Sequence, residues 1–218
     1  MRVAVLGRGK TGRHVIDILR ESNEHELHEV YHSENPPTAD KLQQAQALIS
    51  FIPAAAMREH LETIIKSKIF HITGCTGYDW NKEITSSLQM RNCTWIQADN
   101  FSLGMAIVKK LIKQSQQFKE KYYNEINIHE VHHTSKVDKP SGTAKLWEKW
   151  FDGVNKITSE RYEDVVGIHQ AEIKMDMESI NISHQALDRR VFASGAVRCL
   201  DKLRTLTKPG FYHFDEII

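Results

Sequence analysis

The sequence predicts an α/β protein: a Rossmann-type doubly wound parallel sheet, followed by a second α+β domain with a mixed, largely open-faced sheet. Three observations predict it. Over the first hundred residues, short apolar runs alternate with stretches of helical spacing, the pattern of parallel βαβ units with right-handed crossovers. A glycine-rich turn, "GRGKTGR", follows the first apolar run. From residue 125 the period changes to two, as in strands with one covered face.

The elements follow in order. "RVAVLG" (2–7) is mostly apolar, like a buried strand, and Gly9 to Glu21 carries Val15, Ile16 and Leu19 at helical spacing. "HELHEVYH" (25–32) reads as a second strand. "ALISFI" (47–52) reads as a third, with a helix from Ala54 to Lys66 after Pro53. "KIFHIT" (68–73) is the fourth, with a helical stretch after Asp79, and "TWIQAD" (94–99) is the fifth. Ser102 to Tyr122 reads as one long helix, with Ser102 as a candidate N-cap. "EINIHEV" (125–131) alternates, and "QAEIKMDMESINISHQA" (170–186) holds two more alternating stretches. Residues 133–140 read as a loop. Ser141 then caps a helix whose apolar face is Trp147, Trp150 and Phe151. Val191 to Leu206 is helical again, and "KPGFY" (208–212) reads as a closing turn.

Composition excludes some classes. With 218 residues the chain can bury a real core, and its net charge of +1 gives no reason to expect nucleic acid or membrane as partner. No apolar run approaches the ~20 residues of a membrane span, and no cleavable leader is expected at the N-terminus. Cys75, Cys93 and Cys199 are odd in number and widely spaced. They suggest free thiols in a reducing, cytoplasmic compartment and no metal site.

Two regions carry chemistry. Gly7, Gly9 and Gly12 fit the G-x-G-x-x-G turn that lets a pyrophosphate approach the backbone and helix amides. Arg8, Lys10 and Arg13 add positive charge around Thr11. At the tip of the second strand, His32 and Ser33 suit a 2′-phosphate, whereas Glu34 suits an unphosphorylated ribose. Weighing these, NADPH is expected to bind at least as well as NADH.

The second region is "EVHHTSKVDKPSGTA" (130–144). The amides of Gly142 and Thr143 at a helix N-terminus make a ready carboxylate site. His132, His133 and Lys136 bring cations and proton donors to the same place. The set suits a small dianionic substrate that is protonated during reaction. Asp138 is expected to orient Lys136 or brace the loop, without a chemical role. One cation alone would be an ordinary solvated loop; the full cluster is not.

"HHTSKVDKPSGTA" resembles the H-H-x-x-K-x-D-x-P-S-G-T-A segment of the dihydrodipicolinate reductases. "GRGKTGR", "GCTGYD", "NFSLG", "RRVFASGAV" and the closing "PGFYHFDEII" are similar to further segments of that family. The resemblance implies a nucleotide domain over 1–100, completed by a C-terminal return of 190–218. It implies a substrate-binding and oligomerisation domain over 101–189, and a homotetramer. It implies reduction of a small cyclic dicarboxylate, 4-hydroxy-tetrahydrodipicolinate, with NADPH or NADH. His132 is then the general acid/base, Lys136 the proton donor, and His133, Gly142 and Thr143 substrate contacts. Gly74, Thr76 and the stretch Ala98, Asp99, Asn100 and Phe101 line the nicotinamide side. The alternatives are a related reductase or amino-acid dehydrogenase, and a nucleotide-binding sensor without turnover. Four departures stand out: a nucleotide loop one residue short, Cys75 for threonine, "SFIPAA" (50–55) for an aspartate-containing segment, and Glu163 where glycine is usual.

Overall fold

The computed structural model describes residues 1–123, 125–203 and 205–218. They form two compact units: residues 1–103 with 190–218, and residues 104–189.

The first unit opens with β1 (Arg2–Leu6), α1 (Lys10–Glu21), β2 (Glu26–Tyr31), the single turn α2 (Ala39–Leu42), β3 (Ala47–Ser50), α3 (Ala54–Ser67), β4 (Phe70–Thr73), α4 (Lys82–Met90) and β5 (Thr94–Gln97). β3 and β5 are buried at every position and β1 at all but its first, because helices cover both faces of the sheet. α1 turns Gly12, Val15, Ile16 and Leu19 inward at three- and four-residue intervals.

The second unit starts in α5 (Leu103–Ser115) and continues with β6 (Glu125–His132), α6 (Gly142–Trp150), β7 (Lys156–Arg161), β8 (Gly167–Lys174) and β9 (Ser179–Ala186). Its sheet has the order β7-β6-β8-β9, with β7 parallel to β6 and the other pairs antiparallel. One face packs Ile126, Ile128, Ala171 and Ile173 against Met105, Val108 and Ile112 of α5 and Trp147 of α6. Among the described residues, both helices of this unit, α5 and α6, pack on that one face.

The chain then returns to the first unit as α7 (Arg190–Leu203), β10 (Gly210–His213) and α8 (Phe214–Ile217). The first sheet has the order β10-β5-β4-β3-β1-β2, all parallel. Connections reverse direction at β1, so the carboxyl ends of β1 and β3 flank the switch point where such sheets bind ligands.

Three expectations are corrected. The long helix over 102–122 stops at Ser115, followed by a 3-10 turn at Gln116–Phe118. Glu120 is left-handed (φ +62°), the Tyr123 hydroxyl donates back to Ser115 O at 2.8 Å, and Lys119 Nζ is held by the carbonyls of Phe151 and Asp152. Those contacts turn the chain before the helix can continue. "KPGFY" is no mere turn: Gly210 to His213 pair with Thr94 to Gln97. β7 has no counterpart in the sequence reading. Its run KITSER is polar because it is an edge strand with no fully buried position.

Gly195 lies inside α7, where alanine ordinarily stabilises a helix by about 1 kcal/mol. Here an added Cβ would fall 1.8 Å from Phe101 O. Gly195→Ala should therefore reverse the usual sign and destabilise by about 1–3 kcal/mol, read by urea unfolding.

Candidate active site

β6 sends alternate residues to the covered face, and the last two are Glu130 and His132 rather than apolar side chains. Glu130 is fully buried. A carboxylate without water needs several donors. Arg161 Nη1 donates to Oε1 at 3.0 Å, the Ser141 amide donates to the same oxygen at 3.3 Å, and Oε2 meets His132 Nδ1. Burial works to raise the Glu130 pKa. Hydrogen bonds from Ser159 and Arg161 and the attraction of His132 outweigh it, and the carboxyl sits below its ordinary value. An ionised Glu130 fixes the His132 tautomer: Nδ1 carries the proton and Nε2 presents its lone pair. Burial, opposed by Glu130, lowers the His132 pKa. A Cβ at position 167 would lie 3.1 Å from His132 Nε2, so Gly167 leaves the imidazole its space.

Arg161 Nη1 also donates to Glu160 O at 2.6 Å, and its other two nitrogens reach the loop 133–140. Nε donates to Lys136 O at 3.1 Å, and Nη2 donates to Asp138 O. Thr134 N donates to Glu163 O, and Lys136 N to His133 O, both at 3.1 Å. The guanidinium that neutralises Glu130 thus also fixes the loop backbone. Lys136 Nζ pairs with Asp138 Oδ1 at 2.7 Å. His133 is half-buried, with Nδ1 2.7 Å from Ser135 Oγ.

Ser141 caps α6, its hydroxyl accepting from Ala144 N at 3.1 Å. Gly142 N donates to Asp138 Oδ2 at 3.3 Å. An added Cβ on Gly142 would meet nothing within 4 Å, so a ligand can reach the backbone there. The Thr143 amide and hydroxyl have no partner among the described residues. His132, Lys136, Gly142 and Thr143 therefore share the end of β6, its loop and the first turn of α6.

The sequence reading gives Glu130, Arg161 and His169 no role. The signal for Glu130 is an acid two residues before the histidine on the covered face of an alternating strand. Arg161 and His169 begin and end "RYEDVVGIH" (161–169), a run that resembles a family segment, but β7 itself does not read as a strand. His169 is buried, with Nε2 3.2 Å from Ser141 Oγ and Nδ1 without a partner among the described residues. Burial, then the charge of His132, pushes its pKa down to about 3. Glu130, His132 and His169 offer ligand atoms within 4.8 Å of one another. Arg161 already answers that carboxylate and opposes a cation there, so the set is a proton and hydrogen-bond network.

In the first unit, Gly7 has φ +103° and donates its N–H to Tyr31 O at 2.9 Å. A Cβ on Gly7 would lie 2.5 Å from Phe51 O, and one on Gly12 would lie 2.1 Å from Gly7 O. An added Cβ on Gly9 would meet nothing within 4 Å. α1 has no side-chain cap and no acid in its first turn. This uncovered helix start, with Arg8 and Lys10 exposed beside it and Thr11 half-buried, fits a diphosphate.

At the tip of β2, His32 and Asn35 exchange backbone hydrogen bonds at 3.0 Å around Ser33 and Glu34. Arg8 Nη2 pairs with Glu34 Oε2 at 2.9 Å. The cation that a 2′-phosphate would use is thus already engaged by a carboxylate. Beside β4, the Phe51 ring fills the place of a Gly74 side chain, its nearest carbon 2.2 Å from an added Cβ. Thr76 is exposed. Cys75 is buried, and burial, then the charge of Asp99, pushes its thiol up to about 11. The side chains of Ala98 and Phe101 belong to the core, with the Phe101 ring packed on Phe51 and Phe214 at 5.8 and 5.2 Å. Of this stretch, Asp99 and Asn100 have the more accessible side chains.

The N-terminal dihydrodipicolinate reductase family model matches residues 1–101, and the C-terminal one matches 104–218. A 4-hydroxy-tetrahydrodipicolinate reductase from Parvibaculum lavamentivorans is 31% identical over 188 residues, 74% of this chain and 69% of the relative. One from Methanoregula boonei is 29% identical over 191 residues, 78% of this chain and 74% of the relative. Among solved structures, a dipicolinate-bound dihydrodipicolinate reductase from Paenisporosarcina sp. TG-14 superposes with a TM-score of 0.83 at 18% identity, covering 100% of this chain and 99% of its own.

His169 and the fully buried His71 fall from an ordinary 6.5 to about 3, His71 through burial alone. The folded state thus disfavours their protonation. Their stabilising contribution is complete above the unfolded value and is lost as pH falls from there towards 3. In that window unfolding free energy should drop by about 1.4 kcal/mol per pH unit for each imidazole. His169→Asn should remove one such increment from urea titrations taken at several pH values.

Proposed function

The chain belongs to the dihydrodipicolinate reductase family, and from that premise we propose that it reduces 4-hydroxy-tetrahydrodipicolinate to tetrahydrodipicolinate with NADH or NADPH, on the diaminopimelate route to lysine. The observation that carries the reading is the loop between β6 and α6, where Lys136 and the opening amides of α6 meet over the Glu130–His132 pair. The first unit holds the cofactor along Gly7 to Gly12 and the second holds the substrate. The 4-hydroxyl leaves as water to give the conjugated imine, and the reduced nicotinamide, when bound, would supply a hydride to that same ring carbon.

The residues of this chain do the rest. The Gly142 and Thr143 amides, with the threonine hydroxyl, hold one ring carboxylate at the start of α6. Lys136 neutralises charge on the ring. Its Nζ gives a proton to the ring carbon next to the hydride acceptor, where the shifted electron pair arrives, and water reprotonates the amine. His132 is neutral above its lowered pKa with the proton on Nδ1, so its Nε2 accepts. His133 borders the same site. Glu130 and Arg161 keep the imidazole and the loop in position.

We also assign the uncovered face of β6 to β9, with Asn127, His129, Thr158 and Gln170, to contact between copies of the chain in a homotetramer. Among the described residues no helix is long and apolar enough to cross a membrane, and the three cysteines are free. A cytoplasmic site of action accords with this.

Oxidation of reduced cofactor, followed at its near-ultraviolet absorbance, should require freshly made 4-hydroxy-tetrahydrodipicolinate; turnover without it, or none with it, would reject the reading. Lys136→Met should cut kcat by about 10²–10⁴-fold while leaving cofactor affinity near normal. Thr143→Val should raise KM more than it lowers kcat, because it removes a ground-state contact. His132→Gln should lower kcat and abolish the acid limb of the pH profile, which lies below the ordinary imidazole value because the neutral ring is the working form. Melting curves separate these effects from misfolding.

Glu34→Gln frees the Arg8 charge and removes a carboxylate from the β2 tip. It should shift the ratio of cofactor affinities towards NADPH by about 5-fold or more, the scale of one exposed ion pair plus the repulsion it replaces. Parallel titrations of NADPH and NADH at fixed salt would measure it.

A further inference from the structure

The Asp138 side chain, on the loop between β6 and α6, makes two contacts of a particular kind. Oδ1 lies 2.7 Å from Lys136 Nζ, and Oδ2 accepts from Gly142 N at 3.3 Å. Those are the ammonium and the helix-start amide that the proposed function assigns to the substrate. One carboxylate can bridge them; two cannot share them without like charges meeting.

We propose that Asp138 is a built-in competitor: its carboxylate holds the Lys136–Gly142 site that a substrate carboxylate takes, and the substrate must displace it to bind. The inference rests on the reading of that site given above.

The geometry allows the exchange. The Asp138 backbone is anchored, because its carbonyl accepts from Arg161 Nη2. The side chain is 53% exposed and can therefore turn into solvent by a rotamer change alone. Its partner is more enclosed, with Lys136 at 23%. Open space around the Gly142 Cα admits a ligand from outside. Exposed ion pairs are weak, so displacement is a modest cost.

The arrangement also has a consequence for selectivity. An attached carboxylate acts at high effective concentration. A free monocarboxylate offers nothing beyond what Asp138 already supplies and competes poorly. A dicarboxylate brings a second anchoring group and overcomes it. Before substrate arrives, Asp138 keeps the Lys136 ammonium paired and directed at the helix start. Asp138 is thus a specificity residue that sets the threshold for substrate entry.

The test uses the full chain saturated with reduced cofactor and dipicolinate (pyridine-2,6-dicarboxylate) as probe, with affinity read by calorimetry. Asp138→Asn and Asp138→Ser both remove the competing charge. Each should tighten dipicolinate binding by about 2- to 5-fold, the scale of an exposed ion pair. KM for the substrate should fall by a similar factor, with kcat held within about twofold. Lys136→Met is the control on the site itself and should weaken dipicolinate by about tenfold or more.

If Lys136→Met weakens the probe while both Asp138 variants bind it equally or less tightly than the parent, displacement is wrong and Asp138 is only a brace for Lys136. If Lys136→Met leaves affinity unchanged, the assignment of the site has failed, and the proposal falls with it. Asp138→Ser guards against an asparagine that keeps the old contacts as a neutral hydrogen-bonding group.

Discussion

A carboxylate shut away from water organises the second unit. Glu130 has no exposure, and an ion of that kind persists only when its oxygens are fully answered. Its four donors come from three separate places: His132 on the same strand, Arg161 and Ser159 on β7, and the Ser141 amide at the head of α6. Satisfying one side chain therefore fixes how β6, β7 and α6 meet. The same contacts set the imidazole tautomer, and through Arg161 they hold the carbonyls of Lys136 and Asp138. Fold and site are one network here. A break anywhere in it leaves a buried charge unpaired, a far larger penalty than the loss of an exposed pair.

The first unit solves a different problem by steric rather than electrostatic means. Gly7 and Gly12 are glycines because backbone atoms of Phe51 and of Gly7 itself stand where side chains would go. Gly9 is not crowded by protein at all, and its bareness leaves space at the uncapped start of α1. Two glycines thus draw the strand, turn and helix together, and the third keeps the resulting hollow open. The second unit builds the same kind of anion site at α6 with different means. There Ser141 supplies the cap, Gly142 the access, and the neighbouring lysine the charge.

How much of this was legible in the sequence varies with the kind of signal. Buried strands of the first sheet announce themselves as apolar runs, and the glycine turn and the His132–Lys136–Gly142 cluster are visible because residue type and spacing carry the chemistry. β7 is illegible because an edge strand with two half-open faces has no apolar period. β10 is short and follows Pro209, and only the free edge of β5 makes a strand of it. Arg161 is hidden for a related reason: its partner Glu130 lies some thirty residues away, and no local pattern links a buried acid to its counterion. Phe101 sits in a segment that resembles a ligand-lining motif, and the sequence does not show that its ring packs between Phe51 and Phe214.

The departures from the family pattern divide along the same physical lines. Cys75 replaces a threonine, but its side chain is buried and its thiol stays protonated, so it serves packing and its amide finds the Thr73 hydroxyl at 3.2 Å instead. Glu163, where glycine is usual, is another matter. Its φ is +42°, in the left-handed region, where a side chain costs on the order of 1 kcal/mol. A glycine would adopt that conformation without strain. The carbonyl of this residue accepts from Thr134 N, the hydrogen bond at the start of the loop that carries Lys136. The backbone shape is thus set by the loop it braces, and the shape persists although the residue best suited to it is gone. Strain held one hydrogen bond from the loop is a local conflict that surrounding structure must over-determine. Arg161, two residues earlier, supplies that by gripping the same loop from the other side.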